Sequence, residues 1–198
     1  MADRRPRKPR PPARAKSRPR HGGLVVPWVT GWNGDRPAFG ILFPLRRITA
    51  VTQRRCQLCG QQLGRRIGLV VRPRDIEAGY SSEPGMHPEC LDYATTACPM
   101  LNGSLDSYRQ QPPSAVAHLV TSASPRQGLA AEAYDAWYIT PSGYEVAYDP
   151  GGEVLGISLD VPVLMKKPVR TAAAPRLTGK DAELLRAVLD LALEGPDA

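Results

Sequence analysis

Short apolar runs separated by turn residues fill most of the chain, and the opening stretch has no apolar pattern. Residues 1–23 (MADRRPRKPRPPARAKSRPRHGG) are dense in Pro and Arg, which predicts a disordered basic tail unable to offset the entropy of ordering. Patterning begins at Leu24. Leu24-Val25-Val26 and Trp28-Val29 read as a strand, Asn33-Gly34-Asp35 as a turn, and Phe39 to Phe43 as a second apolar run. Ile67-Gly68-Leu69-Val70-Val71 predicts another strand and Pro84-Gly85 a turn.

A helix is expected from Pro88, because proline fits the first helical turn. It should stop by Cys98, because Pro99 follows and disfavours helical angles at the preceding residue. Residues 99–130 hold Pro112-Pro113 and a Ser/Pro/Gln-rich sequence, and read as a connection with one short strand near Ala115–Val120. Three runs then suggest an antiparallel meander: Ala136–Thr140, Tyr144–Tyr148 and Val154–Leu159, with turns at Pro141-Ser142-Gly143 and Pro150-Gly151-Gly152. A last helix should start at Thr178 as N-cap, carry Leu184, Leu185, Val188, Leu189 and Ala192 as its apolar stripe, and end at Gly195. No internal repeat is visible.

The expected organisation is therefore α+β. A disordered tail (1–23) precedes a zinc-binding domain (24–101), a connection (102–130), and a β-meander with a C-terminal helix (131–198). The 198 residues suit one ordinary domain or two small ones, and 42% hydrophobic content is enough for a core. With 21 prolines and 18 glycines, short elements joined by turns are favoured over long helices.

Charge divides the molecule. Residues 1–20 carry nine basic residues against Asp3 alone, and residues 46–74 carry eight arginines with no acid. Residues 75–198 are acidic, with 17 carboxylates against eight basic groups. The net charge of +7 thus hides two basic clusters and an acidic half. Arginine outnumbers lysine 21 to 5, a usage typical of GC-rich genomes, so the excess of arginine is not by itself a sign of function.

No stretch approaches the roughly 20 apolar residues needed to cross a bilayer. The basic N-terminus has no apolar segment behind it, so no secretory signal is expected. A cytoplasmic location follows as the expectation, where grouped cysteines hold metal more often than they form disulfides.

The chemistry centres on Cys56-Gln57-Leu58-Cys59-Gly60 and His87-Pro88-Glu89-Cys90. Thiolates two residues apart reach one ion from a tight turn, and a following glycine lets the backbone fold beneath it. With His87 as helix N-cap and Cys90 in the first turn, the second pair faces the same point. Four such ligands define a closed tetrahedral zinc site, structural in kind. The 27 residues between the pairs leave room for one hairpin, so knuckle, hairpin and ligand-bearing helix give a treble-clef-like layout.

Three alternatives stand beside this reading: unrelated buried cysteines, a redox CxxC, and Cys98 in place of His87 as fourth ligand. A redox CxxC opens a helix, and Gly60, Gly64 and Arg65-Arg66 do not resemble a helix start. In a helix from Pro88, Cys98 would lie about 12 Å along the axis from Cys90, too far for a shared ion. Leu91, Ala94 and Cys98 instead continue one inward face. His21 and His118 have no evident partner, and no phosphate-binding loop, nuclease histidine or carboxylate pair is present, so no catalytic set is expected.

The run Cys56–Gly60, then His87-Pro88-Glu89-Cys90-Leu91-Asp92-Tyr93-Ala94, then Cys98-Pro99-Met100-Leu101, resembles small uncharacterised zinc-binding proteins of actinobacteria and their phages. Pro27-Trp28-Val29 and Gly31-Trp32 resemble the start of the same proteins. The likeness covers about residues 24–101. It fits a ligand role for the position of His87 and implies no established activity.

Two functions are favoured by these features over a third, an enzyme with zinc as structural support, for which no catalytic set is visible. One is DNA or RNA binding through the tail and through Arg46, Arg47, Arg54, Arg55, Arg65, Arg66, Arg72 and Arg74, as phosphate attracts clustered cations. The other is a protein-interaction or phage-assembly module, with polarised charge steering its partner.

Overall fold

The computed structural model describes residues 9–108 and 128–173, together with Glu183 and Arg186. Its centre is a sheet whose strands come from distant parts of the chain. Before it lie two small hairpins, β1 (Arg20–His21) with β2 (Leu24–Val25) and β3 (Thr30–Asn33) with β4 (Arg36–Leu42). The Asn33-Gly34-Asp35 turn closes the second hairpin, with Asn33 opposite Arg36. Helix α1 (Pro44–Thr52) follows, then β5 (Ile67–Val71), α2 (Pro73–Ala78), β6 (Tyr80–Ser81) and α3 (Pro88–Ala97). The later strands are β7 (Tyr134–Ile139), β8 (Val146–Tyr148), β9 (Val154–Ser158) and β10 (Val163–Arg170). Helices α1, α2 and α3 each have proline in the first turn, where its missing N–H costs nothing.

The main antiparallel sheet has the order β10-β7-β5, and a second sheet has the order β6-β9-β8. Strand β5 is buried on both faces. Ile67, Leu69 and Val71 join Val51, Trp137, Ile139, Tyr144 and Ile157 in one apolar cluster. Val70 points the other way, into a cluster with Leu91, Ala136, Tyr138 and the cysteines. This is strand alternation applied to a wholly apolar segment. Gly68 sits between these positions, where a Cβ would lie 2.6 Å from Leu91 Cδ2 and force that side chain to shift. Helix α3 therefore rests directly on the strand backbone.

Arg47 ties α1 to the second sheet by donating to the carbonyls of Ser82 (2.9 Å), Val154 (3.2 Å) and Leu155. Arg72 and Asp75 form a buried ion pair at 2.7 Å with side chains 3% and 5% exposed, and Arg72 also reaches Ser82 Oγ at 3.0 Å.

Several expectations change. The meander is not one sheet: β7 pairs with β5 and β10, whereas β8 and β9 form a hairpin that pairs with β6. The predicted hairpin between the ligand pairs is reduced to a single antiparallel bridge, Gly68 with Met86, on one edge of β5, while the other edge pairs along its whole length with β7. Residues 9–23 are not a free tail. Ala15 is fully buried, and Val26 N–H donates to Pro19 O at 2.8 Å. The expected strand at 115–120 and residues 1–8 lie outside the described residues. Of the expected final helix only Glu183 and Arg186 are described, both helical and exposed. Among the described residues no helix is long and apolar enough to cross a membrane.

Candidate metal centre

The first ligand pair sits at the tip of a tight turn. Arg55 bridges Gln62 across it, Cys56 N–H donates to Gln61 O at 2.8 Å, and Gly60 N–H donates to Cys56 O at 2.8 Å. Closing the turn puts Gly60 at φ +78°, a left-handed conformation that glycine adopts without steric cost. Trp28 lies against this glycine, and a Cβ at position 60 would fall 2.6 Å from the indole Cδ1 and Cγ. Trp28 N–H also donates to Leu58 O at 2.9 Å, so the knuckle is held from the side by the preceding segment.

The second pair sits at the start of α3. His87 is its N-cap residue and Cys90 lies in its first turn, with Cys90 N–H donating to His87 O at 3.0 Å. The helix ends where Pro99 requires, with Cys98 extended at ψ 120°. Hydrogen bonds lock the two pairs together: Gln57 N–H donates to Gly85 O at 2.9 Å, and Gln57 Nε2 donates to Glu83 Oε2 at 2.7 Å.

Cys56, Cys59, His87 and Cys90 converge as a buried group whose ligand atoms all lie within 4.8 Å of one another. Nδ1 of His87 is 3.5 Å from Cys59 Sγ and 4.0 Å from Cys90 Sγ. A regular tetrahedron with zinc bond lengths has a sulfur–nitrogen edge of about 3.5 Å, so the group is spaced closely enough to hold one ion. The far ring nitrogen, Nε2, is 2.9 Å from Gln62 O. A proton on Nε2 donated to that carbonyl leaves the Nδ1 lone pair facing the sulfurs, and a backbone carbonyl is a usual outer partner of a metal-bound histidine.

The electrostatics of the cluster point to the same chemistry. Hydrogen bonds from Cys56 and then Cys90 hold the Cys59 thiol far below the ordinary range. The Cys90 thiol is pushed far above it, first by Cys56 and Cys59 and then by burial. His87 is raised to about 10 by hydrogen bonds with Cys56 and Cys59. Crowded thiols resist ionising together, and a divalent cation is the partner that lets all three do so. Cys98 lies outside the group, half-buried and packed against the same core, where burial raises its thiol.

The eight arginines near the knuckle do not form one surface. Arg72 is buried on Asp75, Arg47 is engaged with three carbonyls, and Arg74 pairs with Glu132. Arg46 donates to Trp28 O at 3.0 Å beside the Trp28 ring. Arg54 is exposed over the Tyr144 ring, and half-buried Arg55 bonds Gln53 and Gly60 O. Arg65 and Arg66 are exposed at the entrance to β5. Sequence spacing cannot separate an arginine facing solvent from one spanning two elements.

Two contributors have no signal in the sequence. The Gln62 carbonyl is backbone, invisible in residue type. Arg14 lies in a stretch with the composition of a tail, yet it pairs with Glu89 at 2.7 Å. The class so defined is a mixed α+β protein with a buried three-cysteine, one-histidine group able to hold a metal. Comparison with protein-family models, curated proteins and solved structures gives no match.

Proposed function

We propose that Cys56, Cys59, His87 and Cys90 hold one structural zinc ion, and that the fold it fixes is an accessory protein binding nucleic-acid backbone. The observation that carries the first part is the convergence of four buried sulfur and nitrogen donors within 4.8 Å. Three thiolates and an imidazole suit zinc in tetrahedral geometry, and four protein ligands leave no open position for a reacting water. The order of knuckle, antiparallel Gly68–Met86 bridge and ligand-bearing helix supports a treble-clef reading. Metal analysis of purified full-length protein should find one zinc per chain.

Nucleic-acid binding rests on Arg54, Arg55, Arg65 and Arg66 around the ligand turn, together with the basic residues of 1–20 other than Arg14 and Arg18, which bond within the fold. Phosphate contacts release counterions, so affinity for short DNA or RNA should fall steeply with salt. Arg65→Ala with Arg66→Ala should flatten the log–log salt slope by about 1 per phosphate no longer neutralised. Absence of binding at about 100 mM salt would overturn this part.

A second reading is a protein-interaction module. It is favoured by the internal engagement of Arg46, Arg47, Arg72 and Arg74, and by Leu45 and Ile48 on α1, which are 69% and 40% exposed. Affinity capture that returns a protein partner after nuclease treatment, abolished by Leu45→Glu, would support it.

A further inference from the structure

The segment before the first hairpin bears on the metal centre. Residues 13–15 form a short 3-10 turn, and Ala15 is 0% exposed, clustered with Cys56, Leu58, Cys59 and Cys90. Arg14 reaches both ligand segments. Its Nε is 2.7 Å from Oε1 of Glu89, which stands between His87 and Cys90 in sequence. Its Nη1 donates to Gln61 Oε1 at 3.2 Å, and its carbonyl accepts from Gln61 Nε2 at 3.3 Å, two residues beyond Cys59. The segment is fastened behind by Arg18, whose Nε and Nη2 lie 3.3 Å from Val26 O. Val25 N–H donates in turn to the Tyr93 phenol oxygen on α3 at 2.9 Å. One guanidinium thus links the two halves of the ligand set, and one methyl group packs into the cysteine cluster.

We propose that residues 12–18 are a clasp over the loaded metal centre that sets how fast the ion can leave. The proposal rests on the zinc reading above. Three thiolates and an imidazole around a divalent ion carry a net single negative charge, and the Arg14 guanidinium stands beside it as counter-charge. Exchange requires a competing ligand to reach a sulfur, and the clasp covers that approach. The bonds that hold it run to Gln61 and Glu89, whose positions depend on the ligands next to them. The clasp should therefore be closed when the ion is bound and loose when it is stripped.

The test uses full-length zinc-loaded protein and a chromogenic chelator, with release followed over time. Arg14→Ala should speed release by up to about fivefold, the range for a partly exposed ion pair. Ala15→Asp places an unpaired carboxylate in the apolar contact and should speed release by about tenfold or more. Reversing the pair with Arg14→Glu and Glu89→Arg should return the rate toward wild type. Trypsin should cut after Arg14 or Lys16 faster once the ion is stripped. If loaded Arg14→Ala and Ala15→Asp both release at the wild-type rate, or trypsin cuts equally with and without zinc, the clasp is overturned while the zinc site stands. A wild-type chain that carries no zinc overturns the site and the clasp together.

Discussion

Replacing Gly60 by alanine should damage the metal centre without touching a ligand. Two costs arise at this position. An L-residue at φ +78° carries a left-handed penalty of about 1–2 kcal/mol. The new methyl would also meet Trp28 Cδ1 and Cγ at 2.6 Å, so the indole or the turn must move, an overpacking cost of about 1–3 kcal/mol. Together these give about 2–5 kcal/mol, enough to remove much of the stability of a small domain. The measurement is urea unfolding of zinc-loaded protein in excess zinc, with a chelator competition in parallel. Trp28→Ala supplies the control. It removes the collision but not the φ penalty, so the double variant should be more stable than the sum of the single effects by about 1–3 kcal/mol. A Gly60→Ala protein within about 0.5 kcal/mol of wild type, or strictly additive behaviour, would refute the reasoning.

Cys90→Ser should lose the ion and with it cooperative unfolding, because binding free energy in such sites is also folding free energy; zinc content and circular dichroism check this. Cys98→Ser should keep one zinc per chain and cost only about 1 kcal/mol, as Cys98 lies outside the ligand group. Asp75→Ala leaves the buried Arg72 guanidinium without its counter-charge and should cost about 3–5 kcal/mol in chemical denaturation. Gly68→Ala forces a methyl to 2.6 Å from Leu91 Cδ2 and should cost about 1–3 kcal/mol, partly relieved by Leu91→Ala. Zinc uptake should release protons and weaken on acidification, since three thiols and an imidazole must all be free of them to bind; calorimetry in buffers of different ionisation enthalpy reads this directly.

The parts of the molecule that are legible in the sequence are those written in local chemistry. Two ligand pairs with matching spacing, proline on either side of α3, and the Asn33-Gly34-Asp35 turn each act within a few residues. Pairing partners are not legible, because β5 finds β7 about 70 residues away and nothing in the pattern of Ala136–Thr140 distinguishes that strand from its neighbours. Strand β10 gives no signal at all. Lys166, Lys167 and Pro168 lend it the composition of an exposed sheet edge, which shows no apolar alternation. Helices α1 and α2 have nine and six residues, too short for a clear period. The order of residues 9–23 is hidden because it depends on a few specific contacts, Ala15 and Arg14 above all, in a composition that otherwise reads as unstructured.

The pairing of β5 with β7 has a practical consequence for anyone seeking a minimal metal-binding fragment. A chain cut after Leu101 would keep all four ligands and still be incomplete. Strand β5 would retain only its bridge to Met86, and Ile67, Leu69 and Val71 would be stripped of Trp137, Ile139 and Ile157 as cover. An open apolar edge of that kind recruits other copies of itself, so the fragment should precipitate where the whole chain stays dissolved.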